Sequence, residues 1–229
     1  MANLNFIQTI TIDNKPFNVI KSDVWLTLNR FGRGRFLIEA NEKPKLGLVK
    51  FVSGFQGQNM TRWLTAFVES IVEVEQNQWR ILCRELSSIY YTKCPVALRN
   101  VSLAEVTNSL FELKGVGFSI PDKPYAKTKV PTFNAWGRGL DAIVQLGRVF
   151  SIPDFVWYLQ DDNSIFVGSH QDSIFNGRDL PLARNVFIEL KGSEGVLALI
   201  PGLRPGYSIN QQRIQQVRLV NEKMVVEWF

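Results

Sequence analysis

Apolar and polar residues alternate at period two through most of the first eighty positions, the spacing of strands that bury one face. Phe6 to Ile12 alternates and stops at Asp13-Asn14-Lys15-Pro16, a turn signal. A strand restarts over 17–20. Val24, Leu26 and Leu28 then share one face, with Trp25 and Thr27 on the other. Phe31-Gly32-Arg33-Gly34-Arg35-Phe36 reads as a connection between strands, its glycines at positive φ and its arginines facing out. Further strands are expected over 36–40, over 46–52 up to Ser53-Gly54, and over 60–75 as one long piece or two short ones. Gln76-Asn77 turns the chain into a strand over 79–83. Short strands with frequent turns predict a small barrel or sandwich.

The pattern then changes period. Residues 85–91 suit a short helix with Leu86, Ile89 and Tyr90 on one face, ended by Pro95. Ser102-Leu103-Ala104-Glu105 is a capping box, in which serine and glutamate satisfy each other's backbone amides. Leu103, Val106, Leu110 and Leu113 follow at helical spacing, and Gly115 is placed to close the helix. Residues 121–134 carry three prolines and three lysines and read as a linker or extended crossing segment. A second helix is expected over 135–150, with Leu140, Ile143, Val144, Gly147 and Phe150 as its apolar stripe. Residues 155–160 and 164–168 form a hairpin around Asp161-Asp162-Asn163. Strands over 186–190, 196–200, 213–219 and 224–228 complete the chain. Strands, then helices, then strands give an α+β fold, mainly β, with two β-rich modules flanking a helix-plus-hairpin insert. The expected divisions are 1–95, 96–180 and 181–229.

Composition excludes several classes. A chain of 229 residues with 45% hydrophobic and 21% charged residues can bury a core and is not disordered. The apolar runs are far shorter than the roughly 20 residues of a membrane helix. No basic start followed by an apolar core marks the N-terminus, so no signal peptide is expected. Cys83 and Cys94 are too few for a disulfide framework and are expected as free thiols in a reducing cytoplasm, with a single bridge between them as the alternative. The net charge is +5, distributed as +4 over 1–60, +2 over 61–130 and −1 over 131–229. A basic N-terminal part suits nucleic acid, a phosphate-rich surface or an acidic protein.

Catalytic constellations are missing. His170 is the single histidine, with Asp172 two residues on, and no GxSxG elbow offers a serine. One histidine and two cysteines eleven positions apart lack metal-site spacing. Asp161-Asp162 sit in a turn, where aspartate serves the backbone. Glu69, Glu73 and Glu75 read as the wet side of a sheet. Gly32-Arg33-Gly34-Arg35 lacks the Lys-Ser/Thr of a phosphate loop, although Arg33 and Arg35 suit bidentate capture of carboxylates. No catalytic residue, metal ligand or cofactor is expected, nor a specific nucleic-acid or membrane partner.

Three stretches carry a family resemblance. The first runs from Phe51-Val52-Ser53-Gly54-Phe55 to Arg80-Ile81-Leu82-Cys83-Arg84 and on into Glu85-Leu86. The second is Trp136-Gly137-Arg138-Gly139-Leu140-Asp141-Ala142-Ile143 through Gly147-Arg148-Val149-Phe150, then Val156-Trp157-Tyr158-Leu159 and Ile165-Phe166-Val167-Gly168. The third is Leu199-Ile200-Pro201-Gly202-Leu203-Arg204-Pro205-Gly206 followed by Arg213-Ile214-Gln215-Gln216-Val217-Arg218. Together they resemble bacteriophage tail or baseplate hub proteins of the Mu and late-control-D type, which are related to the start of type VI spike proteins.

The resemblance implies two tube-like β-barrel modules and a non-enzymatic virion protein made in the host cytoplasm. Such a protein forms a ring, as a homotrimer, and joins the tail tube to a central spike or tip, with the tape-measure protein as a further neighbour. The chain is shorter than most such hubs and ends at Phe229 without a lysozyme-like or needle module, so pared-down barrels are expected. The candidate partner interface comprises Arg30, Arg33, Arg35, Trp157, Tyr158 and Arg204, with the first three facing tube or lumen. Alternative readings are a distal-tail or tube-end ring adaptor, a tail-tip peptidoglycan hydrolase and a nucleic-acid-binding module.

Overall fold

The structure is a computed structural model that describes residues 5–57 and 60–228. The first four residues, part of the stretch read for a signal peptide, and the terminal Phe229 lie outside the described residues. In chain order the elements begin with β1 (Phe6–Ile12), β2 (Lys15–Thr27), β3 (Arg33–Glu39), β4 (Leu48–Phe55), β5 (Thr61–Glu75) and β6 (Gln78–Glu85). A 3₁₀ helix (Leu86–Tyr91) leads to β7 (Val96–Val101), α1 (Leu103–Lys114), β8 (Phe118–Ser119), α2 (Pro124–Lys127), β9 (Val130–Ala135) and α3 (Gly139–Val149). Then follow β10 (Phe155–Leu159), β11 (Ile165–Ser169), β12 (Asp179–Leu180), β13 (Phe187–Lys191) and β14 (Glu194–Ala198). β15 (Ser208–Ile209), β16 (Gln212–Val220) and β17 (Lys223–Trp228) end the chain.

The chain divides into two compact units. The first takes its residues from 1–27, 31–85 and 177–229, and the second from 28–30 and 86–176. Every strand of the first unit joins one 12-stranded sheet, antiparallel except for the short β12–β15 pair. Its order is β1-β4-β5-β6-β3-β2-β16-β17-β14-β13, and β1 also pairs with β2. The pairings β1-β4-β5-β6-β3-β2 therefore lead back to β1. β2 serves two neighbourhoods: Lys15 to Asn18 face β1, and Asp23 to Thr27 face β16. The strands read as an N-terminal and a C-terminal module thus share a sheet. They also share one core, in which Ile10, Phe36, Phe51 and Trp63 belong with Leu197, Val217, Met224 and Trp228.

Local chemistry explains the turns. Asp13 and Asn14 both take left-handed φ (49° and 64°), the geometry of a two-residue hairpin that twists with its strands. β5 is a single strand of fifteen residues, turned into β6 at Gln76-Asn77. The expected connection through Gly32-Arg33-Gly34-Arg35 is instead the start of β3, and neither glycine has positive φ. Gly34 is required for space: a Cβ there would lie 2.6 Å from Phe36 Cε2 and 2.9 Å from Cys83 Sγ.

In the second unit, α1 carries the expected capping box, with Ser102 accepting from the Glu105 amide and Glu105 from that of Ser102. Gly115 closes the helix in the left-handed conformation at φ 76°. Its buried residues are Leu103, Val106, Thr107 and Leu110, whereas Leu113 is exposed. α3 begins at Gly139 and buries Ala142, Ile143, Leu146 and Gly147, leaving Val144 in solvent. Of the predicted stripe, Ile143, Gly147 and Phe150 are buried and Leu140 is half-buried; close approach is possible because a Cβ on Gly139 would meet Tyr90, and one on Gly147 would meet Phe155. Within residues 121–134 the structure holds α2 and the start of β9, an extended strand that pairs antiparallel with β7, so of the two readings the extended segment fits its second part. The hairpin of β10 and β11 stands where expected, with β8 added parallel to β11.

Candidate functional site

Alternation in β2, β3, β6 and β16 buries Val24, Phe36, Ile81 and Val217 and turns the intervening residues outward. Register then sets one row across five strands. Arg218 lies opposite Trp25, Trp25 opposite Arg33, Arg33 opposite Arg84, and Arg84 opposite Phe67. Adjacent strands are about 4.8 Å apart, so the row spans about 19 Å.

Trp25 is its centre. The guanidinium carbons of Arg33, Arg218 and Arg35 lie 4.5, 4.6 and 5.7 Å from its ring centroid. The electron-rich ring attracts each cation and makes their crowding tolerable. Two carboxylates offset the remaining charge. Asp23 binds Arg218 through paired bonds of 2.8 and 2.9 Å, and Glu69 binds Arg84 at 2.8 Å. Asp23 thereby holds the Arg218 guanidinium above its ordinary pKa. Among the described residues, Arg33 and Arg35 have no carboxylate within ion-pair distance. The chemistry of this face suits anionic groups, and its two carboxylates, Asp23 and Glu69, are engaged by Arg218 and Arg84.

The other predicted interface residues lie elsewhere. Arg30 is exposed but belongs to the second unit, so it is not part of this row. Trp157 and Tyr158 are buried, at 1% and 7% exposure, and so present no open surface. The Trp157 amide donates to Asn29 Oδ1 at 2.8 Å, and Tyr158 stacks on Phe166 and packs at a tilt against Phe175. Arg204 is engaged internally, donating to the backbone carbonyls of Arg62 and Trp63 and lying over the Trp63 ring. Sequence reasoning missed Trp25, Arg84 and Arg218 as members of the site. Alternation put Trp25 on the outward side, but only register shows that Arg218 reaches it.

The residues weighed for catalysis have structural partners. Asp172 is bound by Lys123 at 2.9 Å and by the Tyr125 hydroxyl at 2.8 Å. His170 is buried in a 3₁₀ turn directly after β11. Asp162 accepts from the Ser164 amide and hydroxyl, which hold its carboxyl below the usual range. Cys83 and Cys94 are free and buried. Burial pushes Cys83 up to about 12 and also raises Cys94. Among the described residues no group of three potential ligands forms a metal cluster, and no helix is long and apolar enough to cross a membrane.

With this geometry established, comparison with known proteins gives a consistent result. No protein-family model matches the sequence. A curated relative, an uncharacterized 58.7 kDa protein in the lys 3' region of Haemophilus phage HP1, is 24% identical over 223 residues. That match covers 97% of this chain, which spans 42% of the relative's length. Among solved structures, the 43 kDa tail protein of prophage MuSo2 from Shewanella oneidensis superposes with a TM-score of 0.73 at 8% identity. It covers 98% of this chain and 97% of that one. The fold is that of phage tail proteins. The E. coli c3393 protein, a type VI secretion component structurally similar to the T4 tail proteins gp27 and gp5, superposes at 0.66 with 11% identity. There 95% of this chain and 75% of the other are covered. The resemblance read from the three sequence stretches therefore holds at the level of fold.

Proposed function

We propose that this chain is a structural component of a phage tail or baseplate: a hub that forms a ring and joins the tail tube to a central spike or tip. The observation that carries the reading is the circuit of six strands leading back to β1, in a chain that superposes nearly end to end on a phage tail protein. On this reading the circuit is one tube-like barrel. The arm β2-β16-β17-β14-β13 is the core of a second, with β2 common to both.

Three such chains present six similar modules to a sixfold tube, while their other side keeps threefold symmetry for a spike. Heterologous contacts of this kind close into a ring when the rotation per subunit closes. The tail tube protein, the spike or tip protein and the tape-measure protein are the partners, and the virion tail is the location. The protein works without catalysis.

The test is the mass of the purified chain by light scattering at micromolar concentration, with electron microscopy of tails carrying a labelled copy. A trimer and a label between tube and tip are expected. A sharply monomeric species, or a label elsewhere on the particle, overturns the reading.

A further inference from the structure

We infer that the outward face centred on Trp25, Arg33 and Arg35 is a docking surface for an extended acidic protein segment, one that carries aliphatic side chains beyond its carboxylates on the same side. The argument rests on this face alone and does not require the tail-hub reading.

Charge supplies the first half. Arg33 and Arg35 stand two residues apart on β3, so their side chains project to the same side about 6.7 Å apart. Both are exposed and lack a carboxylate partner among the described residues, whereas Arg218 and Arg84 beside them are already paired. Trp25 pins the guanidiniums at its ring, which reduces the ordering cost of binding. A guanidinium fork matches a carboxylate with two parallel hydrogen bonds. Carboxylates on alternate residues of an extended segment have the same spacing as the two arginines.

Apolar surface supplies the second half and favours protein over nucleic acid. Leu82 lies opposite Arg35 and is 36% exposed, and Phe67 lies opposite Arg84 and is 42% exposed. A phosphate backbone leaves such side chains wet, whereas aliphatic residues two positions before and after the carboxylates lie on the same side of the segment and cover them. The Trp25 ring is occupied by cations and is no stacking platform for bases. Arginine with aromatic and aliphatic neighbours is the composition of protein interfaces.

The experiment titrates the purified 229-residue chain with the peptide Val-Ser-Glu-Ser-Glu-Ser-Val, which puts its glutamates and valines on one side when extended, using the same peptide with glutamine for glutamate and duplex DNA as comparison probes. The glutamate peptide is expected to bind, and to bind more weakly as salt rises. Arg33→Gln with Arg35→Gln should weaken it about tenfold or more. Lys43→Gln with Lys45→Gln removes the same charge from exposed positions outside this face and should leave binding nearly unchanged. Circular dichroism of each variant checks the fold, and if the paired arginine change unfolds the chain, Arg35→Lys replaces it. Equal losses in both double variants overturn the inference, because net charge alone then accounts for binding. Absence of binding to the glutamate peptide, or tighter binding of DNA that depends on Arg33 and Arg35, overturns it as well.

Discussion

Arg204 reaches Trp63 across 141 residues of sequence: Nη1 donates to the Trp63 carbonyl at 2.7 Å, and the guanidinium lies 5.1 Å from the ring centroid. The other terminal nitrogen donates to the Arg62 carbonyl. One side chain therefore ties the 201–206 turn to the start of β5. Arg204→Ala should destabilise the protein by about 2–3 kcal/mol, the scale of charged hydrogen bonds lost from backbone carbonyls. Arg204→Lys should recover only part of this, because an ammonium lacks the planar fork. Urea unfolding measures both, and an unchanged midpoint for the alanine variant would show that the strut carries no load.

Asn29 and Trp157 bond in both directions. The Asn29 amide donates to the Trp157 carbonyl at 3.1 Å, and the Trp157 amide donates to Asn29 Oδ1 at 2.8 Å. Asn29 also has a φ of 59°, which asparagine tolerates better than most residues. Asn29→Gly keeps the backbone conformation and loses the acceptor, at a cost of about 1 kcal/mol. Asn29→Val adds the left-handed penalty, about 1–2 kcal/mol more. Equal midpoints for the two variants in thermal unfolding would refute the role of backbone conformation.

Gly34 and Gly115 are glycines for different reasons. Gly34→Ala forces a Cβ among Phe36, Cys83 and Leu64, and overpacking of this kind costs about 1–3 kcal/mol. Nothing lies within 4 Å of a Cβ on Gly115, so Gly115→Ala pays only for its φ of 76°, about 1 kcal/mol. A second substitution, Phe36→Leu, should relieve part of the Gly34→Ala loss and leave Gly115→Ala unaffected, as a double-mutant cycle in urea will show.

The buried thiols predict both reactivity and a pH slope. With Cys83 pushed to about 12 by burial, its thiolate fraction at pH 8 is about one in ten thousand, so a thiol reagent should label it only after denaturation. An unfolded thiol titrates near 8.5. The folded protein thus keeps a proton that the unfolded chain releases, and this contribution to stability is complete below about pH 8.5 and declines toward about pH 12. Burial raises Tyr125 to about 12 and Tyr90 as well, extending the decline from about pH 10 upward. Cys83→Ala should flatten the first part of that slope, and rapid native labelling would contradict the burial.

Local signals were read well where one stretch of chain contains the whole cause. The capping box at Ser102 and Glu105, the Gly115 cap and the hairpin around Asp161-Asp162-Asn163 each depend on neighbours in sequence, and each stands where expected. Pro131 and the lysines before it suit a linker as well as an extended segment, and what makes this stretch the strand β9 is its partner β7, about thirty residues away. The apolar stripe of α3 holds at Ile143, Gly147 and Phe150, whereas only the packed neighbours show that Ala142 and Leu146, and not Val144, take the remaining buried places. In sequence the aromatic pair Trp157 and Tyr158 suits a core as well as a subunit contact, and their burial is decided by elements that meet only in space.

The alternation of side chains by itself determined that the protein is mainly β, which faces of its strands are apolar, and that Trp25 points away from Val24 and Leu26. Only the tertiary structure decided that β16 pairs with β2 and brings Arg218 onto Trp25, that Arg204 is spent on β5, and that the strands of both chain ends share one core. Alternation is a property of consecutive peptide units. Register between strands nearly two hundred residues apart is fixed by the burial of a common core, and that free energy is realised only when the chain has closed on itself.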